Sequence, residues 1–129
     1  MSKIIKKISC IDIGSNAIKY RQYRLLKNDS IELDTFKRIP LRLGADAFSL
    51  GKMSDKTYED FKWTLKKLKK HAMKKNSELL GIFATSAMRT FSNQSQILKK
   101  IKKDLNLKID ILSGRDCLLY TSPSPRDAY

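Results

Sequence analysis

Two hydrophobic periods occur in a fixed order along this chain, and that order constrains its fold more than any single motif. The first forty residues read as extended segments. Ile4 to Ile13 is an isoleucine-rich apolar run, and β-branched residues suit a buried strand. Ala17 to Leu26 sets Ile18, Tyr20, Tyr23 and Leu25 among basic residues, and Lys27-Asn28-Asp29-Ser30 signals a turn. Ile31 to Ile39 separates Ile31, Leu33, Thr35 and Phe36 with polar positions, and Pro40 ends it. Leu41 to Met53 has two glycines and no clean period, and reads as a loop with a helical turn at Ala45 to Phe48.

After Ser54, an expected helix cap, the period changes. Tyr58, Phe61, Leu65, Leu68 and Ala72 follow at spacings of 3, 4, 3 and 4, one face of a helix. Leu79 to Ala84 (LLGIFA) is wholly apolar, as in a strand covered on both faces. Asn93 to Leu105 returns to the helical period through Ile97, Leu98, Ile101 and Leu105, and Leu107 to Leu112 closes the series as a strand before Ser113-Gly114. The order is β-β-β-α-β-α-β. Short connections make the first three strands an antiparallel meander, and helical crossovers add the later strands in parallel. The expected class is α/β with a mixed sheet.

Composition narrows the function. With 129 residues, 41% hydrophobic and 31% charged, the chain suits one folded domain rather than a disordered one. No apolar run has membrane-spanning length, and the start lacks a signal-peptide core, so a cytoplasmic location is expected. Cys10 reads as a small core residue, and one more cysteine, Cys117, makes no disulfide framework. A single histidine, His71, argues against a zinc site. The formal charge of +14 favours polyanions in general. Many lysines, however, fall on the solvent side of helices, with the aromatics on the core side, which suits a solvated surface.

The first apolar run ends in Ile11-Asp12-Ile13-Gly14-Ser15-Asn16. These six residues admit two readings. One is an ordinary β-hairpin turn. The other is a phosphate grip, in which the glycine lets backbone N–H groups face an anion, and Ser15 and Asn16 add donors. In the second reading Asp12, which phosphate would repel, holds a divalent cation or its water.

Four blocks in register resolve the choice. They are IDIGSNAIK (Ile11 to Lys19), LRLG (Leu41 to Gly44), FATSAMRTFSN (Phe83 to Asn93) and ILSG (Ile111 to Gly114). Together they resemble the N-terminal lobe of the Ppx/GppA phosphatases, the exopolyphosphatases and guanosine-pentaphosphate phosphohydrolases. The resemblance implies an actin-like ATPase fold with a ribonuclease H-like lobe. It implies hydrolysis of a terminal phosphoanhydride of polyphosphate or pppGpp by Mg2+-assisted water attack. On this chain's positions it places Asp12 on Mg2+, and Gly14, Ser15, Asn16, Thr85 and Ser86 on phosphate oxygens. Arg89 would stabilise charge on the phosphoryl group. Ala17 departs from the family's second serine. The implied partner is the polyphosphate or guanosine pentaphosphate substrate, with a homodimer in the full-length protein and no specific nucleic acid or membrane.

The end of the chain departs further. Cys117 to Asp127 reads CLLYTSPSPRD, which resembles the translated read-through of a sequencing-library adapter. Residues 1–115 are therefore expected to form a partial lobe, and 116–129 a disordered adapter-derived tail. In that frame Asp116 stands where the gene has Asp or Glu. The family's general base, the second acid of its pair, falls on Cys117, and a thiol does not replace a carboxylate there. The fragment alone is expected to be inactive. Two alternatives remain at this point: an ATP-binding lobe of a sugar or acetate kinase on the same fold, or a non-enzymatic basic module for polyanions.

Overall fold

The computed structural model describes residues 3–112. The expectations for Ser113-Gly114, Cys117 and the 116–129 tail lie outside the described residues. Three ten-residue strands come first, β1 (Ile4–Ile13), β2 (Ala17–Leu26) and β3 (Ile31–Pro40). They are followed by α1 (Leu43–Ser49), α2 (Asp55–Lys74), β4 (Ser77–Ala84), α3 (Ser86–Thr90), α4 (Gln94–Leu105) and β5 (Asp110–Ile111). The sheet order is β3-β2-β1-β4-β5. β1 and β2 pair antiparallel, as do β2 and β3, whereas β4 lies parallel to both β1 and β5. The β-β-β-α-β-α-β core matches the order of the two periods, with short α1 and α3 added.

Alternation along the strands builds the core on one face. Ile11 pairs with Tyr20 and Ile82, and Ile13 with Ile18 and Ala84. All six are buried, in one cluster with Leu43 of α1, Phe61, Leu65 and Leu68 of α2, Met88 of α3, and Ile97 and Ile101 of α4. Burying each large side chain is worth about 1.5–3 kcal/mol, so this layer dominates stability. α2 starts where Ser54 accepts the Thr57 N–H at 3.2 Å, satisfying one orphan donor. α4 stops at Asn106, and Asn76 follows the end of α2. Both asparagines take the left-handed conformation at φ 56, which a short polar side chain tolerates.

Four expectations are corrected. β4 is covered on one face only: Ile82 and Ala84 are buried, but Leu80 is exposed at a register shift opposite Ser9 and Cys10. An apolar run signals hydrophobicity, not which faces acquire partners. Cys10 points to the uncovered face and is half-buried rather than part of the core. The Leu41–Met53 loop contains a true helix, α1, anchored by buried Leu43. The last strand shortens to Asp110–Ile111; Leu107 and Ile109 are buried by packing outside the ladder. No helix among the described residues is long and apolar enough to cross a membrane.

Candidate active site

The strand order creates the site. β1 connects to β2 on one side, and β4 connects through α3 and α4 to β5 on the other. Connections that diverge from adjacent parallel strands leave a crevice beyond their carboxyl ends, where open α/β sheets bind ligands. The Gly14–Asn16 turn leaves β1 there, and Thr85-Ser86 leaves β4 there.

Hydrogen bonds bring the two segments together. The Thr85 N–H donates to the Ile13 carbonyl at 3.2 Å, and the Thr85 hydroxyl reaches the same oxygen at 3.4 Å. The Ser15 and Ser86 hydroxyls lie 2.8 Å apart. A third segment supports the turn: the Gly44 N–H donates to the Ser15 carbonyl at 2.7 Å, and the Leu41 N–H to the Asn16 carbonyl at 3.1 Å. Any Cβ at Gly44 would sit 3.2 Å from Ser15 Cβ, so a residue without one lets α1 approach the turn this closely. Ser15, Gly44, Ala47, Phe48, Ser86, Ala87 and Thr90 line a cavity of about 290 Å³. Phe48 stands at its rim, 95% exposed.

Of the two readings of the Gly14 turn, the hairpin is the one seen directly. The Gly14 N–H donates to the Ala17 carbonyl at 3.0 Å, closing a β-hairpin. The same hairpin presents Ser15 to Ser86. Gly14 contributes the turn rather than its own N–H, and the hydroxyl pair faces the cavity.

The remaining candidates are placed elsewhere around this crevice. Asp12 projects from the uncovered face of the sheet, in register with Lys19 and Phe83, its side chain 38% exposed and 4.0 Å from the Arg21 guanidinium. Among the described residues no three His, Cys, Asp or Glu side chains converge. One half-exposed carboxylate nevertheless fits Mg2+, which commonly takes one or two protein carboxylates and completes its shell with waters and substrate phosphates. On the same face, burial pushes the Cys10 thiol up; Arg21 opposes this shift and Asp12 adds to it. Arg89 turns toward the end of β5 and donates to the Leu112 carbonyl at 2.7 Å. Cys117 lies outside the described residues.

Sequence reasoning missed the frame behind the cavity. Asn93 accepts the Met53 N–H through Oδ1 at 3.1 Å and donates to the Met53 carbonyl through Nδ2 at 3.0 Å. Asp46 of α1 accepts the Ser54 N–H at 2.9 Å. Burial alone would raise the Asp46 pKa, but the N–H of Ser54 and the hydroxyls of Thr57 and Ser54 outweigh it and hold the carboxyl below its ordinary range. The available signal was that Asn93 closes the third block and Met53 follows the second.

Comparison with known proteins gives the family and the fold. Residues 31–120 match the Ppx/GppA phosphatase family. Exopolyphosphatase 1 of Mycobacterium leprae is 23% identical over 110 residues, covering 85% of this chain and 32% of that protein. The Mycobacterium tuberculosis H37Rv protein of the same name is 24% identical over the same shares. The crystal structure of the Aquifex aeolicus Ppx/GppA family member superimposes with a TM-score of 0.79 at 21% identity, over 84% of this chain and 35% of that one. An exopolyphosphatase from Cytophaga hutchinsonii gives 0.78 at 22%, over 85% and 35%. The chain thus spans about a third of these relatives' length. The lobe has their actin-like ATPase fold, and the chain belongs to the Ppx/GppA phosphatase family.

Proposed function

We propose that the whole protein hydrolyses the terminal phosphoanhydride of inorganic polyphosphate or pppGpp, and that this lobe supplies the phosphate grip. The observation that carries the reading is the Ser15–Ser86 hydroxyl pair, 2.8 Å apart at the divergence of β1 and β4. Two hydroxyls, one on the turn after β1 and one on the first residue of α3, held by backbone bonds on both sides, can rotate to donate to phosphate oxygens without rebuilding the site. Thr85 fixes its segment against β1 through the Ile13 carbonyl. Asn16 adds a donor at the exposed tip of the turn.

Asp12 is the residue that would hold Mg2+, which supplies charge neutralisation on the phosphate oxygens. Arg89, bound to the Leu112 carbonyl, sits on the β5 side of the crevice. From there its guanidinium would stabilise negative charge on the transferred group as substrate binds. Removal of a proton from the attacking water belongs to the carboxylate whose place is taken by Cys117. The 129-residue chain by itself is inactive in this reading.

Phosphate release from polyphosphate and from pppGpp tests it. In the full-length protein Asp12→Ala and Ser15→Ala/Ser86→Ala are expected to lower Mg2+-dependent release by about 10²–10³-fold, the range for loss of a charge-stabilising group. Undiminished turnover in both variants would refute the site. Enzyme-like release by the 129-residue chain would refute the role given to the missing base.

A further inference from the structure

The lysine-rich face of α2 carries an aromatic group, set by the helical period opposite the core stripe. Trp63, the sole tryptophan of the chain, is 61% exposed. With 3.6 residues per turn, Lys66, Lys67, Lys70 and Lys74 fall within about 60° of Trp63 around the helix axis. All four are exposed, and among the described residues none is paired with a carboxylate. Trp63 stacks on no aromatic or cationic partner there either. The aromatics therefore do not all lie on the core side: one stands free at the head of a cationic stripe about 17 Å long.

We propose that this stripe is a docking surface for single-stranded nucleic acid, separate from the phosphate grip. Trp63 offers a stacking platform for one base, and the lysines that follow it track the phosphates. A base stacked on an aromatic ring beside a run of cations is the general mode of sequence-tolerant single-strand binding. Two competing partners fit less well. A membrane surface needs a continuous apolar face, but Tyr58, Phe61, Leu65, Leu68 and Ala72 of α2 are buried, leaving only Trp63 and Met73 as exposed large apolar side chains on it. A duplex is read by the first turns of an inserted helix, and there α2 presents Asp55, Glu59 and Asp60 against one lysine, Lys56. The same acids give the stripe its polarity, since they outweigh Lys56 on the N-terminal side and leave the net positive track C-terminal to Trp63.

Because Trp63 is the only tryptophan, its emission reports directly on the surface. The experiment titrates the 129-residue chain with a 15-mer of deoxythymidine. Saturable quenching is expected, with log K falling against log salt at a slope of about −3, as four neutralised phosphates on a single strand require. Trp63→Ala, read by anisotropy of a labelled oligomer, is expected to weaken binding about tenfold at unchanged slope. Trp63→Phe should recover most of it, and circular dichroism should show both variants folded. Lys66→Ala/Lys70→Ala should halve the slope. The proposal is overturned if quenching is absent or if Trp63→Ala binds as tightly as the parent chain. It also fails if a 15-base-pair duplex or phosphatidylserine vesicles bind at least as well. Inorganic polyphosphate is expected to bind without dependence on Trp63, and an equal loss in Trp63→Ala would likewise overturn the stacking role.

Discussion

The two faces of the sheet are built from the same strands and differ in almost every physical respect. On the helix-covered face, Ile11, Ile13, Ile18, Tyr20, Ile82 and Ala84 are buried. On the other, Cys10 pairs in register with Arg21, and Arg21 with Phe36; Asp12 sits beside Lys19 and Phe83. The Arg21 guanidinium lies 5.3 Å from the centre of the Phe36 ring, and Phe36 is still half exposed. One face is close-packed and specifies the fold. The other tolerates charge, and for that reason it has room for the carboxylate that the proposed chemistry needs.

Substitutions can break that contrast. Phe61→Ala removes a fully buried ring from the covered face and should cost about 3–5 kcal/mol in urea unfolding. A loss under about 1 kcal/mol would mean that the helix layer is not the dominant core. Phe36→Ala on the uncovered face should cost about 0.5–1 kcal/mol, the value of an exposed cation–π contact. A cost matching Phe61→Ala would show that this face, too, is packed.

The smallest effect is a pH dependence from the covered side. His71 stacks edge-on to Tyr20 at 5.3 Å, and among the described residues its Nε2 is buried without a hydrogen-bond partner. Burial lowers its pKa, and Lys37, Lys75 and Lys74 lower it further. The folded state thus binds the proton less readily than the unfolded state. Its stabilising contribution is complete above the ordinary histidine value of about 6.5 and is lost as pH falls through that value toward the lower folded one. Thermal melts from pH 7.5 to 5 should show this loss, and His71→Asn should flatten it. An unchanged pH profile in the variant would place the dependence elsewhere.

Much of the fold was legible because period and fold agree. Two of the three opening strands and the long run of α2 follow hydrophobic spacing closely. Leu80 escaped because its exposure depends on a register shift, which a local pattern does not encode, whereas the helical period already sets Trp63 opposite the stripe from Tyr58 to Ala72. For the site, the four blocks singled out the segments that do meet: Ser15 beside Ser86, with Gly44 against the turn. The directions of side chains were not legible. Asp12 and Ile13 are neighbours in sequence and face opposite sides of the sheet, and Arg89 points along the crevice to Leu112 rather than into the cavity.

Asn93 carries one more consequence. By taking up both the N–H and the carbonyl of Met53, its side chain acts as a spare peptide group, forming a one-residue ladder between segments 40 positions apart. Aspartate has the shape but no donor, glutamine has both groups on a stem one carbon longer, and serine is too short to span the pair. The identity of residue 93 is thus dictated by the dimensions of a backbone amide that belongs to a distant part of the chain.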